Sequence, residues 1–192
     1  MKNSIVITGA AQRIGLFLTD FFLKKEYNVI AVVRKDSDEL IELKNQYPLQ
    51  LVIEYKDFLI DTMDIDFWEK YKTHQISCIA FLDAKVEKLN PDHFSYTLSK
   101  LKLKSAIEFL SMTGANKLRV NAISPGLTLP SGNQTNKDFK RVKSKLPLKV
   151  TPSLVEIANL ALFLIETKSI TNQNIVIDGG QNLISNQDII FQ

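Results

Sequence analysis

Short apolar runs alternate with helically spaced ones along the whole chain, and this alternation narrows the fold more than any other feature. Strand patterns stand near residues 4–8, 28–34, 50–55, 77–83, 118–123 and 173–177, with helical stretches between them. A strand, a crossover helix and a parallel strand together bury both faces of a sheet. The pattern therefore predicts an α/β protein, a doubly wound parallel sheet with helices on both faces. All 192 residues fit one domain, which has room for a substantial core. No repeat, linker or low-complexity tract interrupts it. The most polar and turn-rich stretch, LPSGNQTNKDFKRVKSKLPLKVTP at 129–152, is expected to be a loop or lid rather than a domain boundary.

Composition removes several classes of function. A net charge of +3 with scattered lysines argues against a nucleic-acid partner. No apolar run reaches the length of a membrane span, and a strand near residue 4 leaves no room for a secretory leader. Cys78 is the only cysteine, so no disulfide forms within the chain, and a reducing cytoplasm is the expected compartment.

The first strand runs straight into VITGAAQRIG, from Val6 to Gly15, followed by the helical pattern LFLTDFFLKK. Strand, glycine turn and helix form the context in which a dinucleotide pyrophosphate lies on a helix N-terminus, against free N–H groups and the positive end of the dipole. Gly9 lets the chain turn off the strand, and Gly15 lets helix, sheet and cofactor approach without a Cβ between them. The loop Thr8, Gly9, Ala10, Ala11, Gln12, Arg13, Ile14, Gly15 is TGxxxGxG-like, with Arg13 where a third glycine often stands. The expected architecture is thus of Rossmann type.

Two further stretches carry chemistry. About twenty residues past the glycine loop, a carboxylate suits NAD and a cation suits a 2′-phosphate. That place holds Arg34, with Lys35 next, so NADP(H) is the expected cofactor, its 2′-phosphate held by Arg34 and Arg13. In FSYTLSKLKLKSA, Tyr96 and Lys100 stand four apart and share one helix face. An ammonium beside a phenol favours the phenolate, which helps the phenol give up a proton near neutrality.

The order of these elements resembles the short-chain dehydrogenase/reductase family over nearly the whole length. The glycine loop, Asp57 in YKDF, Tyr96 with Lys100, RVNAISPG at Arg119 to Gly126, and ITNQNIVIDGG at Ile170 to Gly180 follow in that family's sequence. The resemblance implies that Asp57 contacts adenine, that Lys100 binds the nicotinamide ribose and tunes Tyr96, and that Pro125 and Gly126 bound the nicotinamide pocket. Thirteen positions before Tyr96, where the family usually has serine, stands Asp83. Asp83, Arg13 and SPGLT are similar to the pteridine reductase and dihydromonapterin reductase branch. That branch implies Thr128 near the cofactor carboxamide, and a proton relayed by Asp83 and Tyr96 to a pterin nitrogen while NADPH delivers hydride.

One departure bears on fold and function together. Only twenty-six positions separate Asp57 from Asp83, and a single strand–helix–strand unit needs about thirty residues. One helix near DIDFWEKYKT and one strand fit there, so the sheet is expected to be shortened by one strand–helix unit, the family's fourth. The strand near 77–83 should then lie directly beside the first strand. The aromatics Phe67 and Trp68 read more readily as core than as a ring-stacking wall. Two functions stay open: an NADPH-dependent reductase of a pterin or similar imine or carbonyl compound, or a shortened relative that binds dinucleotide or a protein partner without turnover. Leu98, Leu101, Ala106 and Leu110 on the Tyr96 helix suffice for a core face and leave pairing of two copies open.

Overall fold

The computed structural model describes residues 4–56, 67, 70–71, 76–82, 94–113, 118–130 and 135–184. Strands β1 (Ser4–Thr8), β2 (Asn28–Val33), β3 (Leu51–Tyr55), β4 (Ile76–Phe81), β5 (Leu118–Pro125) and β6 (Asn174–Ile177) form one sheet in the order β3-β2-β1-β4-β5-β6. Every neighbouring pair is parallel. Among the described residues are the α-helices α1 (Arg13–Lys24), α2 (Asp38–Gln46), α3 (Phe94–Thr113), α4 (Asn136–Lys145) and α5 (Leu154–Glu166).

Alternation along the strands builds two core layers. Ile5 and Ile7 of β1, Val29, Ala31 and Val33 of β2, Ile79 of β4 and Ile123 of β5 face α1, α2 and α5. There they meet Leu18, Phe22, Leu40, Ile157, Ala161 and Leu164. The intervening residues, Val6, Ile30, Val32, Cys78, Ala80, Val120 and Ala122, pack on the other face against Ile107 and Leu110 of α3 and against Phe67 and Tyr71. This period of two, with both faces covered, is why the central strands are apolar throughout.

β4 pairs with β1 from Ser4 opposite Ile76 to Ile7 opposite Ile79. That is the slot expected for it, because an open position beside β1 would leave buried backbone groups without partners. Phe67 lies in the core, as expected of an aromatic there, and Trp68 lies outside the described residues. The polar stretch 129–152 is not simply a loop. Thr135 caps α4 in a capping box with Asp138, and the helix buries only Val142; its apolar stripe is narrow, and the lysines around it make the stretch read as polar. Ser153 and Glu156 form a second capping box at the start of α5.

Candidate active site

With every strand parallel, all C-terminal ends lie along one edge, and chain order reverses between β1 and β4. Ligands of open α/β sheets bind in the crevice at such a switch point. Thr8 ends β1 and is buried. Gly9 follows with φ +66°, a left-handed conformation that glycine adopts without a steric penalty, and its N–H donates to the Val32 carbonyl at 2.9 Å. A Cβ on Gly15 would stand 2.2 Å from the Gly9 oxygen and 2.7 Å from its carbonyl carbon. The turn and the first turn of α1 are in backbone contact only because residue 15 lacks a side chain.

The start of α1 is electrostatically bare. Gln12, at its N-cap, makes no side-chain capping bond, and the first turn carries no acidic residue. By contrast, α2 is capped by Ser37 and carries Asp38 and Glu39 in its first turn, and α4 and α5 have capping boxes. The N–H groups around Arg13 and Ile14 therefore face the crevice edge with a helix dipole behind them, a cradle for an anion. Arg34 and Lys35, just past β2, are exposed at the same edge. Beside them the Tyr55 hydroxyl donates to Asp36 at 2.9 Å.

α3 descends from the crevice edge across the sheet, so its first two turns stand at the rim. Thr97, Ile107, Leu110 and Ser111 make its buried stripe. Lys100 falls on that stripe, and its Nζ donates to the carbonyl of Phe81, the last residue of β4, at 2.8 Å. The same Nζ lies 5.6 Å from the centre of the Tyr96 ring, and Tyr96 itself is half exposed at 50%. Ammonium and phenol thus share one face at the end of β4, one residue from where the described chain stops short of Asp83. Asp57 and Asp83 both lie outside the described residues.

The far wall is the turn after β5. Gly126 donates its N–H to the Ile177 carbonyl at 2.9 Å, and a Cβ there would meet Asp178 Cβ at 2.6 Å and Gln181 Oε1 at 2.7 Å. Leu127 N–H donates to Gln181 Oε1 at 2.9 Å, and the Thr128 hydroxyl donates to the Gly126 carbonyl at 3.0 Å. Asp178 is buried and accepts the N–H groups of Gly180 at 2.8 Å and Asn182 at 2.6 Å, which folds the chain back behind Pro125 and Gly126. Sequence reasoning passed over Asp178 and Gln181; the DGG turn was the cue that pointed there. The Arg13 guanidinium donates to the carbonyls of Pro130 at 2.9 Å and Leu129 at 3.2 Å.

Among the described residues no group of three His, Cys, Asp or Glu stands together to hold a metal ion, and no helix is long and apolar enough to cross a membrane.

Residues 69–182 match the family described as Enoyl-(Acyl carrier protein) reductase. A dihydromonapterin reductase of Citrobacter koseri is 24% identical, with 93% of this chain and 96% of that protein covered. Their alignment spans 234 positions, more than the 192 residues here, so the relative carries residues with no counterpart in this chain. Among solved structures, the FolM alternative dihydrofolate reductase 1 of Brucella suis, in complex with NADP, superposes with a TM-score of 0.77 at 27% identity, covering 95% of this chain and 96% of that one. A 4-hydroxyisoleucine dehydrogenase complexed with NADH, 20% identical with a TM-score of 0.73, shares the fold.

Proposed function

Because this chain belongs to the short-chain dehydrogenase/reductase family, we propose that it is an NADPH-dependent reductase whose substrate is a dihydropterin or a related imine or carbonyl compound. The observation that carries this reading is the Lys100 ammonium held between the Phe81 carbonyl and the Tyr96 ring at the end of β4. A protein that only bound a dinucleotide would have no use for a phenol and ammonium so arranged. The similarity to a dihydromonapterin reductase and to a FolM reductase with bound NADP supports the substrate class and the cofactor.

The residues present fit the dinucleotide. In this reading the pyrophosphate lies on the bare start of α1, over the Gly9–Gly15 contact, with Thr8, Gln12, Arg13 and Ile14 contributing through the backbone of the turn. Arg34 faces the 2′-phosphate through charge-assisted hydrogen bonds. Asp57 is assigned to the adenine, and Pro125, Gly126 and Thr128 to the nicotinamide end. Bound there, NADPH supplies a hydride. Tyr96 donates a proton from its hydroxyl to the substrate atom that gains negative charge, and Lys100 holds positive charge beside the phenolate left behind. Asp83, two residues beyond Phe81, is assigned the relay of that proton to a ring nitrogen. The same reading includes pairing of two copies along α3, where Leu98, Phe109 and Met112 are exposed; a monomer by light scattering would remove that part alone.

The test is NADPH oxidation with a dihydropterin, comparing wild type with Tyr96→Phe. Turnover should fall by about 100-fold to 10,000-fold, while NADPH affinity changes less than about twofold. A Tyr96→Phe protein as active as wild type would refute the role. A wild type that binds NADPH and reduces no pterin, quinone or carbonyl compound would leave the binding-only alternative standing.

A further inference from the structure

We propose that Arg13 is a positioning residue that latches the turn after β5 onto the phosphate-binding turn, and so holds Thr128 in place. Arg13 sits at the start of α1, next to the end of β1, whereas Leu129 and Pro130 follow β5. β4 lies between those two strands, so the Arg13 side chain joins turns that follow strands two places apart in the sheet. It ends on two consecutive carbonyls, at 2.9 and 3.2 Å, the arrangement a planar fork with several N–H groups satisfies best.

The backbone strengthens the argument. Arg13 has φ 52°, a left-handed conformation that disfavours side chains and suits glycine. A residue serving only the turn would be better as glycine here. An arginine in this conformation is explained by what its side chain does, and in this structure the side chain reaches the loop opposite.

The loop is then tethered twice. Gln181 Oε1 holds Leu127 at one end through the bond of 2.9 Å, and Arg13 holds Leu129 and Pro130 at the other. Thr128, between them, is fixed from both sides. The helix that follows, α4, is secured beyond its C-terminal end, where Leu148 N–H donates to the Gly179 carbonyl at 3.1 Å. Its N-terminal end begins six residues past Pro130. The latch therefore also limits how far that end of α4 can swing. With two of its five N–H groups on these carbonyls, Arg13 is assigned to the latch, and the 2′-phosphate to Arg34.

The role of Thr128 rests on the functional reading above, but the latch itself is testable without it. Limited trypsin digestion of the ligand-free full chain reads α4 directly, since Lys137, Lys140 and Arg141 are cleavage sites along it. Fragments identified by mass should show cleavage in α4 rising about 10-fold in Arg13→Gly, with Arg13→Lys between that variant and wild type, because lysine keeps the charge without the fork. The thermal midpoint of Arg13→Gly should match or exceed wild type, since glycine relieves the backbone; this excludes a general loss of fold as the cause. In fluorescence titrations, Arg13→Gly should weaken NADPH and NADH together by roughly equal factors, whereas Arg34→Ala should narrow the gap between them. Unchanged cleavage in Arg13→Gly, or cleavage no slower in Arg13→Lys than in Arg13→Gly, would overturn the latch. So would a selective loss of NADPH over NADH in Arg13→Gly. If the wild type binds neither nucleotide, the functional reading fails while the digestion result still decides the latch.

Discussion

Arg119→Ala should be among the most destabilising single substitutions in this protein while leaving the chemistry of the folded molecule nearly untouched. Arg119 projects from β5 toward the C-terminal end of α5. Its Nη1 donates to the carbonyls of Leu164 at 2.8 Å, Thr167 at 3.0 Å and Ile170 at 3.0 Å, and its Nη2 donates to Ile165 at 2.5 Å and to Ser77 Oγ at 2.7 Å. A helix ends with four carbonyls that have no partner inside it and with the negative end of its dipole. α5 has no basic residue in its last turn. The sheet supplies the missing cation from a distant part of the sequence, and burial lowers the Arg119 pKa from its ordinary value, as expected of a charge drawn out of water. A hydrogen bond to a charged group has a net worth of about 1.5 to 3 kcal/mol. Five sharing one half-buried guanidinium do not add, since water replaces some of them; with about two carbonyls left unsatisfied at about 1 to 3 kcal/mol each, the loss is about 3 to 5 kcal/mol. For a domain of this size that corresponds to a fall in Tm of roughly 6 to 20 °C. Urea unfolding followed by circular dichroism measures it, with an unchanged m-value showing that the unfolded state is the same. Arg119→Lys should recover about half of the loss, because an ammonium has three donors for five acceptors. Turnover per folded molecule at 25 °C should stay within about threefold, since Pro125 and Gly126 lie at the other end of β5. A loss below about 1 kcal/mol in Arg119→Ala, or a lysine as good as arginine, would refute the reasoning.

Other expectations follow from single contacts. Gly15→Ala places a Cβ 2.2 Å from the Gly9 oxygen; the gain in helix propensity, at most about 1 kcal/mol, is smaller than the overpacking cost of about 1 to 3 kcal/mol. Nucleotide affinity should therefore fall by at least about 10-fold with a lowered Tm, and titration with NADPH checks it. Glu54 has a lowered pKa, because hydrogen bonds from Lys70 and Tyr71 and the nearby lysine charges outweigh the burial that works to raise it. Its contribution to stability is complete above its ordinary value of 4.5 and is lost as pH falls through the lower folded value. Wild type should lose stability below about pH 4.5 more steeply than Glu54→Gln, as read from urea midpoints against pH. Cys78 is fully buried in β4, with its pKa pushed up to about 12. It should react with a thiol reagent only as fast as the sheet opens, so its labelling rate should rise with urea in step with unfolding.

The fold was legible because its signals are local. Alternation of strand and helix, the glycine turn after β1 and the spacing of Tyr96 to Lys100 each need only neighbouring residues to be meaningful, and each forms where it was expected. α4 escaped because its sequence is so polar that the narrow stripe around Val142 is outweighed by lysines and by the turn residues before it; the Thr135 and Asp138 capping box was a further local mark. The partners of Arg13 and Arg119 were beyond reach for a different reason. Leu129 and Pro130 are more than a hundred residues from Arg13, and α5 ends more than forty residues after Arg119. A guanidinium is recognised by carbonyls, which every residue has, so nothing in the side chains marks which ones it will meet. Only the parallel sheet, by drawing the ends of β1, β4 and β5 to one edge, decided that Arg13 crosses the crevice and that Lys100 stands between Tyr96 and the end of β4.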